Sequence, residues 1–312
     1  MTTSDEQHEH DRNTRLLNQE LPDDRFQDGE YLRWLYDQNP NGPGIWESVD
    51  DDDGTRLAHY ALIPQVWRNA EGPQPLVFSL NAVTHKRAQK GGHFKKLGDT
   101  IYEQAQEQGK KGILAVPNAN STPAAIKYWK YEFLMQMPVR WVLPRPGRGS
   151  RSQWVDEELL ASDRFAELIS DLDSHPADGW TCSYSPEYLR WRLAQPHARY
   201  ALHETRDVVG ISAVSDYRGL PITVIIKMLP KPGVDTSTPV SGAPVVAAAC
   251  RHHRTPVALY SGFNARVKVP GPNLPLRIRP VPLNLIYKSL SDEVPQEGFR
   301  LDTYEFLDMD AF

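Results

Sequence analysis

Five residues occur twice in this chain. Glu30-Tyr31-Leu32-Arg33-Trp34 returns as Glu187-Tyr188-Leu189-Arg190-Trp191. A repeat of this kind constrains the fold more than any bulk property, because a duplicated segment folds as a duplicated unit. The segments after the two copies match in kind. After the first come IWESVD and RLAHYALIP around an acidic turn with Gly54. After the second come RYALHE and VVGISAVSDY around a polar turn. PLVFSLNAV then parallels PITVIIKML. A helix is expected next in each copy, at about 93–108 and about 240–252, before the strands GILAVPN and PVALYSGFN. Each copy thus reads helix, β-hairpin, strand, helix, strand. A helix between two strands makes a βαβ unit with parallel strands, whereas the hairpin strands are antiparallel. The expected fold class is α/β: a tandem of mixed sheets with flanking helices.

The repeat also suggests boundaries. Residues 1–24 are polar and lack apolar periodicity, so a disordered tail is expected there. His8 and His10, in the run HEH, have no third ordered ligand, and no metal site is expected. A first domain is expected over 25–146 and a second over 157–312. The linker between them, 147–156, lies in the Pro-, Gly- and Arg-rich stretch PRPGRGSRSQW. The aromatic residues of the two pentamers are expected to pack in the core or between domains.

With 312 residues, 40% of them hydrophobic, the chain can bury a sizeable core. Its formal net charge of −5 excludes a global basic surface for nucleic acid. Apolar runs such as ITVIIKML fall far short of the roughly 20 residues of a spanning helix, so no membrane insertion is expected. The polar N-terminus has no signal-peptide core. Cys182 and Cys250 make neither a disulfide framework nor a zinc site. These properties together predict a reduced, soluble, cytoplasmic protein.

One turn stands out. The apolar strand PLVFSL runs into NAVTHKRAQKGGHFKKL, with adjacent glycines Gly91 and Gly92 among the cations Lys86, Arg87, Lys90, Lys95 and Lys96. Phe94, Leu97, Ile101, Tyr102 and Ala105 then fall on one helix face. The glycines therefore stand at a helix N-terminus directly after a strand. Such an end offers unsatisfied N–H groups and the positive pole of the helix dipole, and glycine lets a ligand approach the backbone. The combination suits phosphate. Neither G-x-x-x-x-G-K-[ST] nor G-x-G-x-x-G is present; what is present is Gln89-x-x-Gly92. The next parallel strand ends at Pro117-Asn118, followed by Asn120 and Ser121. These groups share a crevice with the glycine turn, at the carboxyl ends of the strands, where ligands bind in open α/β sheets. Ser121 also suits a helix N-cap, with Pro123 in the first turn.

Together, SLNAVTHKRAQKGGHFKKL and ILAVPNANSTPAAIKYWKY resemble the GNAT (Gcn5-related N-acetyltransferase) superfamily, and most closely its bacterial members associated with surface-polysaccharide and cell-wall modification. The matching residues are Thr84, His85, Gln89, Gly92, Phe94, Leu97, Pro117, Asn118 and Ser121. The resemblance implies tandem GNAT-like halves and acetyl-CoA or another acyl-CoA as cofactor. It places the diphosphate on the backbone from Gln89 through Lys90, Gly91, Gly92 and His93 to Phe94, with Val83, His85, Asn120 and Ser121 alongside. It further implies direct attack by a small-molecule amine on the thioester. No cysteine lies in the motif, in keeping with direct attack. In one register Tyr128 falls on the superfamily's acid for the leaving thiolate; in the other, Lys130-Tyr131 replaces Gly-Phe and no acid is placed, so Tyr128 is the first candidate and Tyr131 the second, and both could equally be packing aromatics. Asn81 and Asn118 could orient the acceptor. In the second copy the matching turn, PKPGVDTSTPVSGAP, has no Q-x-x-G and is broken by prolines, which lack the N–H a phosphate needs. That copy is expected to be degenerate for the cofactor. His252 and His253 are expected to satisfy a helix C-terminus, and Asp308 and Asp310 to lie on a tail or edge strand. The expected function is N-acyl transfer to a small amine, an amino sugar of a surface polysaccharide among the candidates. Two alternatives are a non-catalytic acyl-CoA-binding or scaffold protein and a FemABX-like aminoacyl transferase.

Overall fold

The computed structural model describes residues 3–21, 23–89, 91–145, 149–170, 172, 178–275, 277, 279 and 283–309. Helices α1 (Thr3–Glu20) and α2 (Glu30–Asp37) lead into strands β1 (Ile45–Asp50), β2 (Arg56–Asn69) and β3 (Gly72–Thr84). Helix α3 (His93–Glu107), β4 (Gly112–Ala115), α4 (Thr122–Trp129), β5 (Glu132–Gln136) and β6 (Val139–Val142) come after them. Next are β7 (Arg151–Trp154), α5 (Glu157–Ala161), α6 (Asp163–Ile169), β8 (Thr181–Cys182) and α7 (Pro186–Leu193). The chain continues with β9 (Ala201–Glu204), β10 (Val208–Tyr217), β11 (Leu220–Pro230), β12 (Val240–Ser241), α8 (Ala243–His253) and β13 (Ala258–Asn264). It closes with β14 (Val267–Lys268), β15 (Asn284–Ser289) and β16 (Thr303–Glu305).

The repeat folds as the pattern implies. The antiparallel hairpin β2–β3 and the parallel pair β3–β4 recur as β10–β11 and β11–β13. Helix α3 corresponds to α8, and α2 to α7. The repeated pentamers meet at a local twofold: Trp34 and Trp191 stack with ring centroids 4.6 Å apart. Each indole N–H donates to the other tryptophan's carbonyl, at 3.0 and 3.1 Å. One large core joins the two sheets around this pair, and a smaller core lies under the outer helix of each sheet.

The expected boundaries are crossed by the sheets. Strand β15, from the far end of the chain, inserts between β4 and β5 of the first sheet, with Leu285, Ile286 and Tyr287 fully buried. Strand β8 pairs β2 in that same sheet. In return β6, from the expected first domain, pairs β13 of the second sheet. Within the expected linker, Arg151–Trp154 is an edge strand paired with β9, while 147 and 148 lie outside the described residues. Apart from β7–β9, these pairings join residues more than a hundred positions apart, which no local pattern announces.

The expected disordered tail is also corrected: Thr3–Glu20 is helix α1. Leu16, Leu17, Asn13 and His10 are buried, so a narrow face of a mostly polar helix docks on the sheet. His10 Nε2 donates to the Asp37 carboxylate at 2.8 Å, and the ring packs on Tyr36 and Trp46. It is a core residue. Likewise His252 and His253 do not simply cap α8: both pack against Trp154 and His203, and His253 bonds Ser212.

Candidate functional site

Strands β3 and β4 pair only over Val77–Ser79 and Ile113–Ala115. Beyond that point β3 continues to Thr84, while the chain after Ala115 turns off through Pro117 and Asn118. Two parallel strands thus part at their carboxyl ends. A bulge sharpens the divergence: between the pairs Ala61–Leu80 and His59–Val83, Tyr60 alone faces Asn81 and Ala82. Asn81 has a φ of 52°, a left-handed conformation that asparagine tolerates better than most residues. Strand β3 there has no partner on the β4 side, so its amide edge faces the gap.

The gap is a cavity of about 590 Å³. Its walls include Asn81, Phe94, Asn118, Ser121 and Tyr131, five of the residues expected from sequence. Phe94 also borders an outer groove of about 610 Å³. Gln89 and Gly92 line that groove beside Lys95 and Lys96. Helix α3 begins at Gly92 in the left-handed conformation (φ 73°), with no side-chain cap. Its first N–H groups are therefore available to an anion. One aromatic ring thus separates a slot between strands from an open helix N-terminus.

The other expected residues occupy different places. Val83 is buried in the core. His85 accepts from the Arg87 N–H and lies 3.1 Å from the Gln19 amide, so it shapes the loop. Gly91 and His93 form the turn at the head of α3, where a Cβ on Gly91 would come within 2.5 Å of His93 Nε2. Lys90 lies outside the described residues. Arg87 pairs with Asp51 and Lys95 with Asp99, while Lys96 is exposed at the α3 start with no ion pair among the described residues. Asn118 accepts from the N–H groups of Asn120 and Ser121, and so builds the turn before α4. Tyr128 is 46% exposed and lines the outer groove, away from the cavity.

Tyr131 is buried and lines the cavity. Its hydroxyl lies 2.9 Å from that of Tyr102, which lies 2.7 Å from Tyr60, itself 2.8 Å from Ser79 Oγ. Burial pushes all three phenols up, and the neighbouring phenols push Tyr102 and Tyr131 well above the ordinary range. They are neutral donors at any ordinary pH. Trp129 packs over this network so tightly against α3 that a Cβ on Gly98 would fall 2.2 Å from its ring. Only glycine fits there.

Sequence reasoning missed one wall entirely. Glu20, Asp23, Arg25 and Phe26, from the segment expected to be disordered or just after it, form part of the cavity wall. Glu20 accepts from the Lys86 N–H at 3.2 Å. Asp23 is bound by Arg25; burial works to raise its carboxyl, but the Arg25 hydrogen bonds outweigh this and hold it low. The far end of the chain adds Leu283, Ile286 and Met309. Asp308 is fully buried rather than on a free tail, and Asp310 lies outside the described residues.

Two mixed sheets in tandem, each with a parallel pair that succeeds an antiparallel hairpin and is crossed by one helix, define a GNAT-type fold. No protein-family model matches the chain, and no curated protein matches it in sequence. Solved structures do match in shape. A conserved protein of Enterococcus faecalis V583, described as a probable N-acyltransferase, superposes with a TM-score of 0.60 at 11% identity, over 91% of this chain and 70% of that one. A GCN5-related N-acetyltransferase of Anabaena variabilis gives 0.58 at 12%, over 92% and 70%. The N-myristoyltransferase of Saccharomyces cerevisiae, solved with bound myristoyl-CoA, gives 0.56 at 11%, over 88% and 78%. At such identities the likeness is one of fold. Among the described residues no helix is long and apolar enough to cross a membrane.

Proposed function

We propose that this chain is an N-acyltransferase that moves an acyl group from acyl-CoA, acetyl-CoA first among them, to an amine by direct attack. The observation that carries this reading is the continuity at Phe94: an uncapped helix N-terminus on one side, and a slot between parting strands on the other. The fit is chemical as well as geometric. The N–H groups at the start of α3, with Lys96, suit a diphosphate. The unpaired amide edge of β3 suits an arm that itself carries amides. Bound there, acyl-CoA supplies an activated thioester carbonyl.

The chain's own groups do the rest. Neither Cys182 nor Cys250 lines the cavity, so no acyl-enzyme is proposed. Asp23 is already paired with Arg25, so Glu20 is the wall carboxylate that favours entry of a cationic amine. Tyr131, kept protonated by burial, donates a hydrogen bond to charge that develops on the leaving sulfur, and Tyr102, Tyr60 and Ser79 hold it in place. The bulge N–H groups of β3 are the candidate oxyanion donors. An amino sugar of a surface polysaccharide is the acceptor to test first, followed by polyamines.

Calorimetry with acetyl-CoA and longer acyl-CoAs tests the donor. The parent should bind, and Gly92→Asp, which puts a carboxylate where the diphosphate lies, should not. A parent that gives no heat with any acyl-CoA removes the proposal. Thiol release across a panel of amino sugars and polyamines then separates an enzyme from a binding protein.

A further inference from the structure

The amide of Asn81 could face the cavity with either its NH2 group or its carbonyl, and the two ends recognise opposite partners. A chain of buried hydrogen bonds decides between them. Its fixed point is Arg56, a buried guanidinium that only donates. Arg56 is held by ion pairs with Glu9 and Asp50, and it donates to Asn13 Oδ1. That atom must therefore be the oxygen. Ser48 Oγ, 3.1 Å away, must donate to the same oxygen. Ser48 thus accepts from His59 Nδ1 at 2.9 Å, which must carry the proton. Burial disfavours the charged imidazolium at this site, so the ring is neutral, its Nε2 is an acceptor, and Tyr36 donates to it at 2.8 Å. With its proton committed, the Tyr36 oxygen accepts from the Asn81 NH2 group at 2.9 Å. No link in this chain can be reversed without breaking the one before it. Asn81 Oδ1 has no hydrogen-bond donor among the described residues, and Asn81 lines the cavity.

We propose that Tyr36 and His59 are positioning residues: the Arg56-anchored chain through Asn13, Ser48, His59 and Tyr36 holds Asn81 by its NH2 group and presents its carbonyl oxygen to the cavity as a fixed acceptor. The site therefore takes a hydrogen-bond donor at this point. Identifying that donor as the N–H of the attacking amine rests on the acyl-transfer reading; the polarity of the chain does not. With one N–H held by Asn81, the amine's lone pair is left to face the acyl carbon. Arg56 opens β2, but Glu9, which holds it, and Asn13, which receives its hydrogen bond, lie in α1, so the helix whose last residue lines the cavity also sets the cavity's chemical sense.

The polarity can be read directly. Long-range proton–nitrogen correlation on the full chain with labelled histidine reports tautomers, and His59→Gln assigns the signal. The groups facing His59 are His10 and Asn13 from α1, Tyr36 from α2, Glu47 and Ser48 from β1, and Arg56 from its own strand. The expected result is a neutral His59 with its proton on Nδ1, unchanged across roughly pH 5 to 8. A proton on Nε2, or titration near the ordinary histidine value, overturns the proposal. In Asn81→Asp an ionised carboxylate cannot donate, so Tyr36 must turn toward it and His59 Nε2 must gain a proton. An unchanged His59 in that variant also overturns the proposal. Should Asn81→Asp not fold, Tyr36→Phe leaves Ser48 as the partner that fixes the tautomer: His59 should keep its proton on Nδ1, and a move to Nε2 overturns the proposal. None of these readouts needs an acceptor, so their failure is separable from a failure of thiol release. Where thiol release is found, Tyr36→Phe should raise KM for the amine about tenfold and leave KM for acetyl-CoA unchanged; equal effects on both would mark a merely structural role and overturn the positioning claim.

Discussion

The two halves share a fold and differ in what fills the gap between their parallel strands. In the first, pairing stops at Ser79 and Ala115, Asn81 stands two residues on, and the gap is open. In the second, pairing stops at Ile225 and Tyr260, and the residue two further on is Lys227. Its ammonium meets Asp308 at 2.7 and 2.9 Å and Glu305 at 3.2 Å, all of them buried. Strand β16 pairs the continuing β13 and brings those carboxylates in. The helix N-termini differ in the same sense. Neither helix has a side-chain bond from its N-cap glycine, but at α8 the Gly242 N–H donates to the Lys268 carbonyl, the Ala243 N–H donates to Ser241 Oγ, Pro244 has none to offer, and β14 pairs β12 across that end. The second half has thus kept the framework and satisfied both of its binding features with its own chain. A gap of this kind stays a site only where nothing internal completes it.

The comparison can be broken most forcefully at the filled gap. Lys227→Met leaves Glu305 and Asp308 buried without their cation and should cost about 3–5 kcal/mol in urea unfolding. A loss below about 1 kcal/mol would mean the filled gap does not hold the second half together. Next comes Glu305. Burial raises its carboxyl from an ordinary 4.5 to about 7, although Lys227 opposes this. A raised carboxyl favours the folded state while protonated. Its contribution is therefore complete below about pH 4.5 and is lost as pH climbs through about 7, on the order of 3 kcal/mol over that window. Glu305→Gln should remove that slope from plots of urea stability against pH, and a variant as pH-dependent as the parent would refute it.

At the open gap the expected effects are smaller. Tyr131→Phe should lower kcat about a hundredfold, some 2.7 kcal/mol, with acetyl-CoA binding by calorimetry retained. Tyr128→Phe, in the outer groove, should leave kcat as it is; the reverse ranking would return the acid role to Tyr128. Smallest is the shared seam. Trp34→Phe removes one of the two reciprocal indole bonds and should cost about 1 kcal/mol. Trp191→Phe should cost the same, and unequal values would show that the local twofold is geometric but not energetic.

Much of this contrast was legible in the sequence. The repeated pentamer, the matched hairpins and the βαβ order pointed to the tandem fold, since each rests on local periodicity. The prolines and missing Q-x-x-G of the second turn pointed to a degenerate copy. The glycine turn and the strand end at Asn118 were found because backbone chemistry demands particular residues there. What stayed hidden was non-local. Nothing near Leu285–Tyr287 marks it as the partner of β4. Helix α1 escaped because its buried face is narrow and is secured by ion pairs such as Arg12 with Glu9 and Asp50. Tyr131 could not be ranked above Tyr128, because the choice turns on whether α4 ends at Trp129, where Lys130 adopts a left-handed conformation.

The exchange of strands has a consequence for how the protein comes into being. The wall holding Ile286 belongs to a strand translated long after both of its neighbours. As the chain leaves the ribosome, the first sheet must wait with β4 and β5 unjoined until that strand arrives. A nascent chain halted before residue 284 would carry the glycine turn and both tyrosines yet lack a finished slot between them.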